Sequence, residues 1–358
     1  MLSPSCLLKA SSLLLSCSVP VRHAPPRASL VDNIDASLIR RYKADEVSRV
    51  LESWRAMAAG HVHEAELPGF EADEAMLRQQ ANSYVDGLPV QLFYEDPAAS
   101  YAWAHALEEQ AQVVRDEFLS VVNSDALERQ GNNVWTGLAD IRDESTVAYG
   151  PEWRTLGLQD RGVWDPVNTK LFPKTTALLK QSGTPCVEAF FAKMPAGTSI
   201  GAHSDGCNFH LTSHLGIDVP EGECWLQVGD ERREWRNGKL MLFDTSVMHC
   251  AANEAAVDRY VLMMRVWHPG LTATEVDALS WIFKCLDEPH LAEPPPTDWG
   301  NPRAAAAVGG NGRSAVGGAA KGGMSRQARR QAERDAKKRA KAGGGGGVAK
   351  KEVAKKKR

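Results

Sequence analysis

No run of 18 apolar residues occurs anywhere in these 358 residues, so no helix of ordinary membrane-crossing length is expected. Cysteine is scarce and irregular. Seven are present, Cys6 and Cys17 among them close to the N-terminus, and no two form a C-x-x-C pair. A scattered, odd-numbered set is neither a disulfide framework nor a zinc-finger spacing, and it points to a reduced compartment. H-E-x-x-H, the helical signature of zinc hydrolases, is missing as well. Acids are missing from the first 31 positions, and only Glu333, Asp335 and Glu352 offset 17 Lys and Arg between 303 and 358. The formal net charge is -3; with +3 at the start and +14 at the end, residues 32–302 are left with -20. An acidic body repels nucleic acid and anionic membrane, so contacts of that kind would fall to the tail.

Both ends read as segments apart from the fold. The opening, MLSPSCLLKASSLLLSCSVPVRHAPPRASL, is Ser-rich and basic. Residues 1–31 are expected to be a targeting leader, an organelle (plastid or mitochondrial) transit peptide, with a secretory signal as second choice and an N-terminus without an address as the plain alternative. Residues 291–358 run through AAAAVGGNGRSAVGGAAKGG to five glycines and AKKEVAKKKR. This is the composition of a low-complexity, basic, disordered tail. Nothing in the sequence sets an oligomeric state.

What is present between them changes texture midway. ASLIRRYKADEVSRVLESWRAMA (36–58) carries Leu38, Tyr42, Val47, Val50, Leu51, Trp54 and Met57 near helical spacing, and further helices are expected at 74–84, 101–122 and the end of 168–182. Residues 32–85 thus read as a helical N-terminal segment. From 187 onward the runs VEAFFAKM, HLTSHLGIDV, CWLQV, EWR, KLMLFD and RYVLMMRVW are short and rich in β-branched or aromatic residues. Turn residues punctuate them at PAGTSIG, PEGE, GDE and NG. Many short strands with tight turns indicate a small barrel or jelly roll. The expected class is mainly β with flanking α-helices: a double-stranded β-helix, cupin-like, packed against N-terminal helices.

One stretch, HSDGCNFHLTSHLG (203–216), concentrates chemistry. On a strand, residues two apart face the same way, so His203 and Asp205 would present an imidazole and a carboxylate to one point. A His-x-Asp pair alone is ordinary surface chemistry. A second imidazole would make three ligands, and His249, after the strand-like LFDTSVM, is the candidate. Two His and a carboxylate on one face of an ion are the ligand set of non-haem Fe(II) oxygenases. Arg259, ten positions beyond His249, begins the last apolar run. It is either a solvated edge or an inward fork able to grip a dicarboxylate. Trp225, Phe243 and Trp267 read as core residues, and His268 as structural.

These residues match a family. MPAGTSIGAHSDGCN, SHLGIDVP, CWLQVGDERREWRNGKLMLFDTSVMH and RYVLMMRVWHPGLT, within about 86–272, resemble the aspartyl/asparaginyl β-hydroxylases, which are Fe(II)/2-oxoglutarate dioxygenases. The resemblance implies a dioxygenase domain over 86–290 that uses Fe(II), 2-oxoglutarate and O2. It would hydroxylate an unactivated C–H, the β-carbon of Asp or Asn in a peptide or protein substrate. His203, Asp205 and His249 would hold the metal, Arg259 would anchor the co-substrate, and His214 matches a family histidine beside it. Asn208, on the same loop, either lines the pocket or caps a turn. The animal enzymes have Gly where Asp205 stands, an Arg where Thr212 stands and a Ser where Ala192 stands; bacterial relatives acting on lipid A keep the full triad. Two other readings remain: a non-catalytic cupin-like metal- or ligand-binding module, and a nucleic-acid-associated protein acting through its basic tail.

Overall fold

The computed structural model describes residues 29–69, 75–129, 135–137 and 153–294. Most of the expected leader and nearly all of the expected tail lie outside the described residues. Among those described, no helix is long and apolar enough to cross a membrane.

Helix α1 (Leu30–Arg41) starts from Ser29, whose hydroxyl accepts from the Asp32 amide while the Asp32 carboxylate accepts from the Ser29 amide. This reciprocal cap satisfies two amides that a helix start otherwise leaves without partners. The chain turns extended at Tyr42 and re-enters helix as α2 (Ser48–Ala58), so the run expected as one helix at 36–58 is two. Folding back lets Ile34 and Leu38 of α1 and Val50, Leu51 and Trp54 of α2 join one apolar cluster. The segment 74–84, expected to be helical, is instead a strand. β1 (His63–Glu66) and β2 (Arg78–Ser83) form an antiparallel pair, and β2 alternates buried with half-buried positions. Its RQQANS sequence buries Gln79, Ala81 and Ser83, a period of two that no helix shares. The helix expected at 101–122 breaks at Gln110 into α3 (Ala102–Glu109) and α4 (Ala111–Val122). At 168–182 a single turn precedes α5 (Pro173–Gln181), which begins at a proline with no amide to donate. Helix α6 (Ala273–Asp287) repeats the reciprocal cap with Thr272 and Glu275.

The strands form two facing sheets. After the short β3 (Phe93–Tyr94) and β4 (Thr136–Gly137) come β5 (Arg154–Asp160), β6 (Val163–Trp164), β7 (Cys186–Met194), β8 (Thr198–His203), β9 (Gly206–Cys207) and β10 (His210–Asp218). They are followed by β11 (Cys224–Val228), β12 (Glu231–Glu234), β13 (Leu240–Phe243), β14 (His249–Asn253) and β15 (Arg259–Trp267). The larger sheet has the order β3-β13-β10-β15-β7-β5-β4, with β6 on β5; the smaller is β12-β11-β14-β8. A third, β1-β2-β9, joins the N-terminal hairpin to the loop after β8. From β3 to β5 every neighbouring pair in the larger sheet joins non-consecutive strands, as a jelly roll requires. The chain is therefore mainly β, a double-stranded β-helix flanked by helices.

Residues of the larger sheet alternate between two cores. Leu156, Leu158, Phe191, Leu211, Leu215, Leu262 and Met264 pack outward on Leu107, Val114, Phe118 and Leu179 of α3, α4 and α5. Ala192, Met194, Val261 and Met263 face inward to Leu226, Val228 and Ala251 of the smaller sheet. Both faces are covered, so β15 reads as a nearly unbroken apolar run, while β10 is buried almost throughout although it carries His210, Thr212, Ser213 and His214. On β15 the inward parity is that of Arg259, Val261, Met263 and Arg265.

Gly216 on β10 fixes how the segment after β12 crosses the sheet. Its amide donates to Lys239 O at 3.1 Å, and its carbonyl accepts from the Gly238 amide at 2.9 Å. A Cβ there would stand 2.2 Å from the Arg236 carbonyl oxygen. Gly216→Ala must displace backbone, not a flexible side chain. It is expected to cost about 3 kcal/mol or more, seen as a large drop in the denaturation midpoint; an unchanged midpoint would show that the crossing is loose.

Candidate functional site

β8 and β14 are antiparallel neighbours in the smaller sheet, and their register sets His203 opposite His249. The ring centroids are 4.2 Å apart. Each imidazole is tied by Nδ1 to the carbonyl two residues before it: His203 to Gly201 O at 2.8 Å, His249 to Val247 O at 2.9 Å. A carbonyl only accepts, so each Nδ1 carries a proton, and Nε2 is the ring atom left to turn toward the shared point. Burial, and then the neighbouring His203, push His249 down to about 4, which keeps it a neutral ligand at ordinary pH.

Asp205 reaches the same point from beyond the strand. β8 stops at His203, and Asp205 is held in the gap before β9 by its amide, which donates to Thr245 O at 2.8 Å. Its Oδ1 lies 3.8 Å from His203 Nε2. One donor atom each from His203, Asp205 and His249 fall within 4.8 Å of one another, and all three residues are buried. Two imidazole nitrogens and a carboxylate oxygen fit a divalent transition metal, with coordination positions left open.

The triad lines a narrow cavity between the two sheets. Ile200, Leu226, Phe243 and Met263 give it apolar walls, and Thr212, His214, Trp235 and Arg259 lie on the same lining. Arg259 and His249 come from opposite sheets and meet across the interior; they are not on neighbouring strands. Arg259 is only 2% exposed. Its Cζ sits 4.4 Å from the centroid of the Trp235 ring, and its Nη2 points at the Met194 sulfur at 3.2 Å. Nε and Nη1 have no hydrogen-bond partner among the described residues. Burial lowers this guanidinium to about 10, still charged near neutrality. His214 completes the pattern. Its Nδ1 accepts from the Trp235 indole N–H at 3.1 Å, so the proton sits on Nε2, a buried donor with no partner among the described residues. Burial and the nearby Arg259 hold His214 well below its usual range. Unanswered donors, one of them cationic, describe a receptor for an anion.

Other expected positions fall differently. Thr212 is on the lining, its hydroxyl 3.3 Å from that of Thr245, and Ala192, two strands away on β7, is on the lining as well. Asn208 is not on the lining. Its Oδ1 accepts from the Val85 amide at 2.8 Å and its Nδ2 donates to the Val85 carbonyl at 2.9 Å. Both amide atoms are committed to backbone, so Asn208 clamps the loop to the N-terminal segment. Phe243, expected in the core, is a cavity wall. Trp225 is half-buried, with the Arg232 guanidinium 3.8 Å over its ring. Trp267 packs in the helical cluster, and His268 bonds Tyr94 and Pro89 O, a structural role.

Arg265 went unrecognised in the sequence. It is buried on the inward row of β15, with Nη2 3.1 Å from Asp205 Oδ2 and Nε 3.3 Å from Glu188 Oε2. The signal was available: Arg265 has the parity of Arg259 on one strand.

Comparison with known proteins places this site in a matched region. The aspartyl/asparaginyl β-hydroxylase family model matches residues 108–269, which include every residue of the triad, His214, Arg259 and Arg265. The human aspartate β-hydroxylase domain-containing protein 2 is 36% identical over 141 residues, 37% of this chain and 38% of that protein. The mouse aspartyl/asparaginyl β-hydroxylase is 29% identical over 203 residues, 55% of this chain and 26% of that one. The chain thus matches well under half the length of either relative. Among solved structures, a Pseudomonas putida prolyl-4-hydroxylase superimposes with a TM-score of 0.30 at 16% identity, over 49% of this chain and 97% of that one.

A charge buried without a counter-charge costs stability. Arg259→Met is therefore expected to raise the stability of the ligand-free protein by about 1–2 kcal/mol, read as a higher melting temperature. A lower melting temperature would mean that Arg259 is satisfied within the fold and waits for no anion.

Proposed function

We propose, from the match of residues 108–269 to the aspartyl/asparaginyl β-hydroxylase family model and the likeness to the relatives above, that the chain is an Fe(II)- and 2-oxoglutarate-dependent dioxygenase hydroxylating an unactivated C–H, the β-carbon of an Asp or Asn in a peptide or protein. One observation carries this reading: a buried guanidinium without a counter-charge shares a cavity with a two-His, one-carboxylate triad. A dicarboxylate that chelates a metal at one end and needs a cation at the other supplies what both lack.

The residues divide the task. His203, Asp205 and His249 would hold Fe(II), which with O2 and 2-oxoglutarate supplies C–H oxidation, the co-substrate leaving as CO2 and succinate. Arg259 and the His214 Nε2–H receive the far carboxylate and set the orientation of the co-substrate. Trp235 holds both: its ring lies under the guanidinium and its N–H selects the His214 tautomer. Ile200, Leu226, Phe243 and Met263 keep water from the reacting centre. Thr212 and Ala192 add no charge to this wall, so the grip on the co-substrate falls to Arg259 and His214.

The test is succinate release from 2-oxoglutarate with Fe(II) and O2. His249→Ala and Asp205→Ala are expected to lower turnover at least about a hundredfold, a loss of roughly 2.7 kcal/mol or more of transition-state stabilisation. Arg259→Met should act on the co-substrate, raising its KM about tenfold or more. Metal uptake without any 2-oxoglutarate turnover would overturn the oxygenase reading and leave a metal-binding module.

A further inference from the structure

Asp205 has its two carboxylate oxygens pointed at different things. Oδ1 faces His203 Nε2 at 3.8 Å, and Oδ2 meets Arg265 Nη2 at 3.1 Å. Asp205 is 1% exposed, so this division takes place in the interior. It is built by the sheet. The β15 registers place Arg265 opposite Thr212 of β10 on one side and opposite Glu188 of β7 on the other. The guanidinium lies 3.3 Å from the Glu188 carboxylate and reaches past the strand edge to the loop after β8.

We propose that Arg265 is a positioning residue that holds Asp205 by Oδ2 and so makes it a one-oxygen ligand, with Oδ1 aimed at the ion between the two imidazoles. The inference rests on the metal site of the reading above and adds a residue to it. A carboxylate off a strand has free χ1 and χ2 torsions and two equivalent oxygens, and it could chelate an ion through both. Fixing one oxygen in a charge-assisted hydrogen bond removes that choice, because a planar guanidinium defines direction as well as distance. Ligand carboxylates in metal sites are commonly oriented this way by a partner behind them. The obvious objection is repulsion: a cation near a divalent ion should weaken its binding. Glu188 answers it. Its carboxyl, with a pKa raised by burial, lies 3.3 Å from Arg265 Nε and, when ionised, offsets the guanidinium's charge where the ion would sit. Arg259, on the same row of β15, has no such acidic partner among its contacts, which separates an anion receptor from a ligand holder on one strand.

The test is Co(II) binding to the full chain, measured by calorimetry or by competition with a chromophoric chelator up to millimolar Co(II), with no co-substrate and no turnover. Arg265→Met is expected to raise the Co(II) Kd at least tenfold, and Arg265→Lys, which keeps the charge but not the fork, to recover only part of that. In an Asp205→Gly background the same Arg265→Met change should alter Kd less than twofold, because there is no carboxylate left to hold. If Arg265→Met alone does not fold, Glu188→Gln/Arg265→Met removes the pair without leaving a buried charge and carries the same expectation. Unchanged or tighter binding by the Met variants overturns the proposal, and so does an equal loss with and without Asp205. Absence of Co(II) binding by the unaltered chain overturns this proposal and the metal-dependent reading together. The expected pattern in a protein that releases no succinate would sink the oxygenase reading and leave the role of Arg265 standing.

Discussion

The pairing of β14 with β8 is the contact on which the site depends, because it sets one imidazole against another. Each ring is then turned by the same device, an Nδ1–H bonded to the carbonyl two residues earlier in its own segment. Asp205 is tied into this arrangement through backbone. Its amide donates to Thr245 O, in the loop that leads to His249. The three ligands thus come from two segments, 203–205 and 245–249, joined both by a strand pair and by a loop hydrogen bond. A shift of register by one residue would turn the two histidines to opposite faces and empty the site.

Against that scaffold, β15 contributes two buried cations with different fates. Arg265 is matched by Glu188 and Asp205. Arg259 is matched by an aromatic face and a thioether, neither of which carries a formal negative charge. Desolvating a guanidinium is costly wherever it happens, and a fold selected for stability alone would place an apolar side chain at 259. The mismatch is local, in a cavity that also contains metal ligands, and local violations of the burial rules concentrate where a protein binds or reacts.

How much of this could be read from the chain depended on the range of each interaction. β15 was legible in full as RYVLMMRVW, since a strand covered on both faces needs an unbroken apolar run. His203 and Asp205 were found by their spacing, although the reason differed: the chain leaves β8 after His203, so a loop bond, not strand parity, brings Asp205 back. Arg259 announced itself as a charge opening an apolar strand. Asn208 did not, because what decides its role is the backbone of Val85, 123 positions away. β2 was hidden for a similar reason. RQQANS has no β-branched or aromatic residue, and it becomes a strand because β1 and β9 supply partners on both sides.

Trp235 shows how the two kinds of information combine. The run EWR reads as strand, yet β12 ends at Glu234 and Trp235 turns inward to become one of the largest fully buried side chains. From there it touches the two anion-directed groups by two different means, a π face for Arg259 and an N–H for His214. A strand would have carried that side chain on along the sheet surface. Ending β12 one residue early gives the cavity an indole that neither sheet could present, and it places the choice of His214 tautomer, and with it the second donor, under a residue outside both. The sheets therefore fix where the metal ligands stand, while the connecting segments, through Trp235, Thr245 and Asp205, fix which atoms face the cavity.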